Sequence, residues 1–118
     1  MGVVTNVAVL PYKIYTALLT QSGTNNPTVI VLENTLGGVP VWTRHAEGVF
    51  YGTLTGVFTE DKTAVFTGFN LSGNFGDAIG IISRRLSSDI IEVLTGVLGD
   101  VPYDGYLFKN MIEIRVYT

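Results

Sequence analysis

Cysteine is absent from this 118-residue chain, so neither a disulfide framework nor a thiolate metal site holds it together. Charge is scarce as well. Asp, Glu, Lys and Arg make up 14 % of the residues, against about a quarter in an average globular chain. The net charge is −3, and the basic residues are scattered, with Arg84-Arg85 the one adjacent pair. Phosphate neutralisation needs clustered Lys and Arg, so nucleic acid is excluded as an expected partner. Histidine occurs once, at His45, and one imidazole without cysteine cannot anchor a zinc site. Apolar runs of membrane-spanning length are missing, so no membrane insertion is expected. The opening MGVVTNVAVLPYK has no basic region before its apolar stretch and does not read as a signal peptide. Its Gly2 is followed by Asn6 where a myristoylation signal wants Ser or Thr.

What is present is apolar. Hydrophobic residues reach 47 % and glycines number 14. A chain of this length suits a single domain, 1–118, that buries roughly two-thirds of its unfolded surface. A neutral, glycine-rich surface with so little charge predicts burial of part of it against copies of itself.

The pattern along the chain is that of strands. Val39 to Gly56 holds two short alternating runs flanking the polar loop 45–48, which predicts a β-hairpin. Before it, residues 3–10 form an apolar run ended by Pro11, an edge strand or an arm reaching to a neighbour. Residues 12–20 are rich in β-branched and aromatic side chains, and the QSGTNNP turn that follows decides for strand over helix. Residues 28–34 are apolar on both parities from Val29 to Leu32, as in a strand covered on both faces within a sandwich or at a subunit interface. Further strands are predicted at 63–67, at 79–85 with a bulge or close approach at Gly80, and at 90–95. The last, 111–118, alternates most cleanly: Ile112, Ile114 and Val116 inward, Glu113, Arg115 and Tyr117 outward. The segments 68–78 and 96–105 read as shaped, glycine-bearing loops. Residues 106–111 hold at most one helical turn. About eight strands with turns near every ten residues make an all-β fold, an antiparallel β-sandwich or jelly-roll-like.

Candidate chemistry is sparse. His45 with Glu47 two residues on is a base–carboxylate pair on paper, yet no G-x-S-x-G or similar nucleophile element accompanies it. An exposed loop histidine is the simpler reading, and no enzymatic activity is expected. Asp100 and Asp104, ahead of Gly105, are the candidate metal ligands. Calcium wants six to eight oxygens, and the D-x-D-x-D-G spacing with a distal Glu is missing, so a turn is expected and no cofactor. Asn70-Leu71-Ser72 matches a glycosylation sequon. Trp42 and Tyr51, with Tyr12 or Tyr15 and with Asn70 and Asn74 of the glycine-rich loop, are the candidate contacts for a glycan or receptor; core packing is the competing role for the aromatics.

Three pieces of the chain carry a resemblance: YKIYTALLTQSGTNNPTVIVLENTLGG, then VWTR followed by GVFYGTLTGVFTEDKT, then the terminal IEIRVYT. Together they resemble short virion-associated proteins encoded by phages and prophages of Bacteroidetes, across nearly the whole chain and most densely in residues 12–63. Residues 68–78 and 96–109 follow no pattern of that group. The resemblance implies a location in the virion, as a fibre, spike or capsid-decorating subunit, and transfers no catalytic residue. Such a subunit would work through self-assembly, as a homotrimer in the first instance, with Val29, Ile30, Val31 and Leu32 between copies and other virion proteins as further partners. The alternatives are an adhesin domain binding a host surface glycan or receptor, and a small hydrolase using His45.

Overall fold

The computed structural model describes residues 9–68, 79–97 and 101–118. Eight strands run in chain order: β1 (Tyr12–Thr20), β2 (Thr28–Asn34), β3 (Val41–Ala46), β4 (Val49–Thr53), β5 (Thr63–Thr67), β6 (Ile79–Arg85), β7 (Ile90–Val97) and β8 (Asn110–Tyr117). They form two four-stranded antiparallel sheets, ordered β2-β1-β8-β5 and β3-β4-β7-β6. The hairpins β1–β2, β3–β4 and β6–β7 each stay within one sheet, so the architecture is a plain sandwich. Among the described residues no helix is long and apolar enough to cross a membrane.

The core follows the alternation of the strands. The first sheet sends in Tyr15, Ala17 and Leu19 from β1 and Ile112, Ile114 and Val116 from β8. The second answers with Trp42, Phe50, Ile91 and Val93, while Leu36, Phe58 and Leu107 close the ends from loops. Full burial of such a side chain contributes about 1.5–3 kcal/mol. Trp42 lies flat because its cross-strand partner is Gly52. A Cβ there would sit 2.7 Å from the indole ring, so the glycine makes room for the Trp rather than for a turn.

The two long sides of the sandwich differ. On one, β5 packs directly against β6, and the Arg85 Nε donates to the Phe58 carbonyl at 2.6 Å while the Phe58 N–H donates to Ser88 at 2.9 Å. On the other, β2 and β3 lack comparable packing and are tied at their ends. The Arg44 N–H donates to Asn26 Oδ1 at 2.9 Å, and Asn34 Nδ2 donates to the Gly38 carbonyl at 2.8 Å.

Several expectations change on this framework. Among the described residues Val29 to Leu32 are not covered on both faces; every one is exposed, because no described strand lies beyond β2. The β3–β4 turn is shorter than the predicted loop, since β3 continues through Ala46 with a register irregularity between Arg44 and Ala46 that takes up His45. Gly80 pairs in unbroken register with Gly96 and forms no bulge. Residues 106–109 form no helical turn and lead straight into β8. The 3–10 run lies outside the described residues except for Val9 and Leu10, both exposed.

Candidate functional site

The feature that stands out is the free margin of β2. Its side chains from Val29 to Leu32 are between 37 % and 59 % exposed, on both faces of an edge strand. Hydrogen-bond alternation tells which backbone groups are free. The Thr35 N–H donates to the Ile14 carbonyl at 2.8 Å, so β1 turns residues 14, 16, 18 and 20 towards β2. Leu18 pairs with Ile30 and Thr20 with Thr28, which directs the Ile30 and Thr28 backbone at β1. Antiparallel alternation then points the N–H and C=O of Val29 and Val31 away from the sheet. A register irregularity opposite Thr16 and Ala17 leaves Leu32 without a partner and ends this regular stretch. Val39 and Val41 on the same side are each 62 % exposed.

The ends of β2 and β3 are held by a polar clamp. Arg44 Nε and Nη2 grip the Asp104 carboxylate at 2.9–3.2 Å, and the Gly48 N–H donates to the same carboxylate at 2.8 Å. Gly48 has φ +66°, and a Cβ on it would meet the Tyr103 nitrogen at 2.5 Å and the Thr95 oxygen at 2.6 Å. The Gln21 amide extends the clamp: Nε2 donates to the Gly23 and Asn25 carbonyls, and Oε1 accepts from the Gly105 N–H. The Arg44 hydrogen bonds hold the Asp104 carboxyl below its ordinary range, and Asp104 in turn raises the guanidinium. Asp104 is thus spent on the fold; Asp100 lies outside the described residues, among which no metal-binding group of His, Asp and Glu assembles.

The expected aromatic platform does not form. Trp42 is 5 % exposed, with its indole N–H donating to the Tyr15 hydroxyl at 3.2 Å. Burial raises the Tyr15 phenol, and the Trp42 bond opposes that shift. Tyr51 sits on the outer face of the second sheet, its ring stacked on His45 at 4.3 Å and 16°. His45 has no hydrogen-bonded carboxylate or hydroxyl among the described residues, so Glu47 does not orient it. Asn70 and Asn74 lie outside the described residues.

The outer face of the first sheet gathers aromatics that the sequence reading left apart. Tyr12 and Tyr117 pack at 5.1 Å. The Arg115 guanidinium lies 4.8 Å from the Tyr12 ring and 5.1 Å from the Phe66 ring, and its Nε donates to Glu113 at 2.7 Å. The available signal was the outward alternation of Glu113, Arg115 and Tyr117; the β1 and β5 neighbours were unknown. A cleft of about 360 Å³ at one end is lined by residues including Lys13 and Lys62, neither in an ion pair among the described residues. Compared with protein-family models, with curated proteins and with solved structures, the chain matches none.

Proposed function

We propose that this chain is a structural subunit that acts by self-association through its open side. The observation that carries the reading is β2, four consecutive large apolar residues exposed on an edge strand. Such an edge is a template for pairing, and folded proteins ordinarily blunt it with charge, proline or a covering element. Inside β2 the one charge is Glu33 and there is no proline. Val39 and Val41 add exposed apolar surface on the same side of the sandwich, and monomers seldom leave large contiguous apolar patches uncovered. A virion is the setting we propose, as a fibre, spike or decorating subunit, and it rests on the motif resemblance alone. Light scattering behind a sizing column, at several concentrations, tests self-association. An oligomer is expected; a monomer at every concentration overturns the reading.

A second reading has its own observation. Tyr12, Tyr117 and Phe66 around the Arg115–Glu113 pair form an exposed aromatic and polar surface that fits an adhesin contact with a sugar better than the buried Trp42 does. A glycan array with the native chain and with Phe66→Ala tests it: binding lost in the variant supports it, and no binding ends it.

A further inference from the structure

Resting on the self-association reading, we infer that the occupant of the β2 edge is β2 of a second copy, paired antiparallel about a two-fold axis through Ile30. The outward N–H and C=O groups belong to Val29 and Val31, which bracket Ile30 symmetrically in the sequence Val29-Ile30-Val31. A two-fold axis at Ile30 therefore sets Val29 of one copy opposite Val31 of the other. Each such pair exchanges both of its backbone hydrogen bonds. Ile30 meets its own copy between them as a non-hydrogen-bonded pair, the closer kind, with Cα atoms about 4.5 Å apart. Axes at the two neighbouring outward residues fit less well: an axis at Val31 brings Val29 opposite Glu33, whose backbone follows the irregularity and faces β1, and an axis at Val29 brings Val31 opposite Pro27, which has no N–H to donate.

Side chains agree with the backbone. On the inner face Val29 and Val31, which sit across from Leu19 and Ala17, close over the open margin of both cores. On the outer face the two Ile30 side chains cover each other. The strand's one charged residue, Glu33, lies beyond the irregularity, at one end of the paired stretch. The two Glu33 carboxylates thus stand at opposite ends of the ribbon, and no like charges oppose. Both first sheets become one continuous eight-stranded sheet, and β2 stops being an edge. An isologous contact of this kind builds dimers and even-numbered assemblies, in place of the trimer expected from the sequence.

The cysteine-free chain makes the test clean. Two thiols on the axis meet the Cα separation of a disulfide, about 4.4–6.8 Å. Ile30→Cys, treated with oxidised glutathione, is expected to link quantitatively into a dimer at concentrations where the native chain has dimer mass. Ile82→Cys, equally exposed on β6, is expected to stay at least tenfold behind. Native mass is read on the unaltered chain and does not depend on either variant folding. A native trimer, or Ile30→Cys linking no faster than Ile82→Cys in a chain that does associate, overturns the two-fold pairing and leaves self-association standing. A native monomer at every concentration overturns both and leaves the edge to a strand of some other protein.

Discussion

The two sides of this sandwich solve one problem in opposite ways. Where β5 meets β6, the sheets close on each other, and the Phe58 backbone is held by the Arg85 guanidinium and the Ser88 carbonyl. Where β2 runs above β3, only the ends are tied, and the apolar middle of β2 is left exposed. Both sides are built from β-branched and aromatic strands. What differs is whether a neighbour among the described residues is there to cover them. The lesson is that apolar composition marks a strand for burial without saying whose surface buries it.

Substitutions on the two sides should therefore separate folding from assembly. The largest loss is expected for Phe58→Ala, which empties the closed side and costs about 3–5 kcal/mol in chemical denaturation. Gly48→Ala comes next: its positive φ alone costs about 1–3 kcal/mol in an alanine, and the clash with Tyr103 and Thr95 displaces the clamp that supports the open side. Thermal unfolding at low concentration, where assembly does not contribute, reads that loss.

Asp104→Asn is expected to destabilise less, and in a pH-dependent way. The native carboxyl titrates below its unfolded value of about 3.9. Its contribution is therefore fully present above that value and is lost as pH falls through the lowered native value. The stability gap between native chain and variant should be widest near neutrality and shrink on acidification below pH about 4. Both groups of the pair are partly exposed, so raising salt should narrow the gap as well. A gap that widens on acidification contradicts the clamp.

The smallest folding effect is expected on the open side. Ile30→Lys, on the outer face of β2, should change monomer stability by less than about 0.5 kcal/mol, yet reduce the native oligomer to monomer in light scattering. A variant that still assembles like the native chain would erase the contrast between the two sides.

Much of this fold was legible in the residues. Ile112, Ile114 and Val116 point inward as their alternation predicts, and the strand runs lie close to their expected bounds because turn residues punctuate them. Val29 to Leu32 were legible as two-faced and apolar, but strand order is a long-range property, so their place at an edge was not. Trp42 was legible as a large aromatic; its burial depends on Gly52 across the hairpin and on Tyr15 in the other sheet. Asp104 finds Arg44 at 60 positions' remove, a pairing that no local spacing encodes. His45 passed for a loop residue because the strand irregularity at Arg44 and Ala46 breaks the period that would have revealed it.

The most direct test of the central claim is amide hydrogen exchange at Val29 and Val31, measured below and above the concentration at which the chain associates. Pairing of β2 with its copy predicts that both amides exchange rapidly in the dilute chain and become protected on association, while the Ile114 amide in the central strand β8 is slow throughout. Rapid exchange at Val29 and Val31 in the associated chain would contradict it, and would place the contact between copies elsewhere.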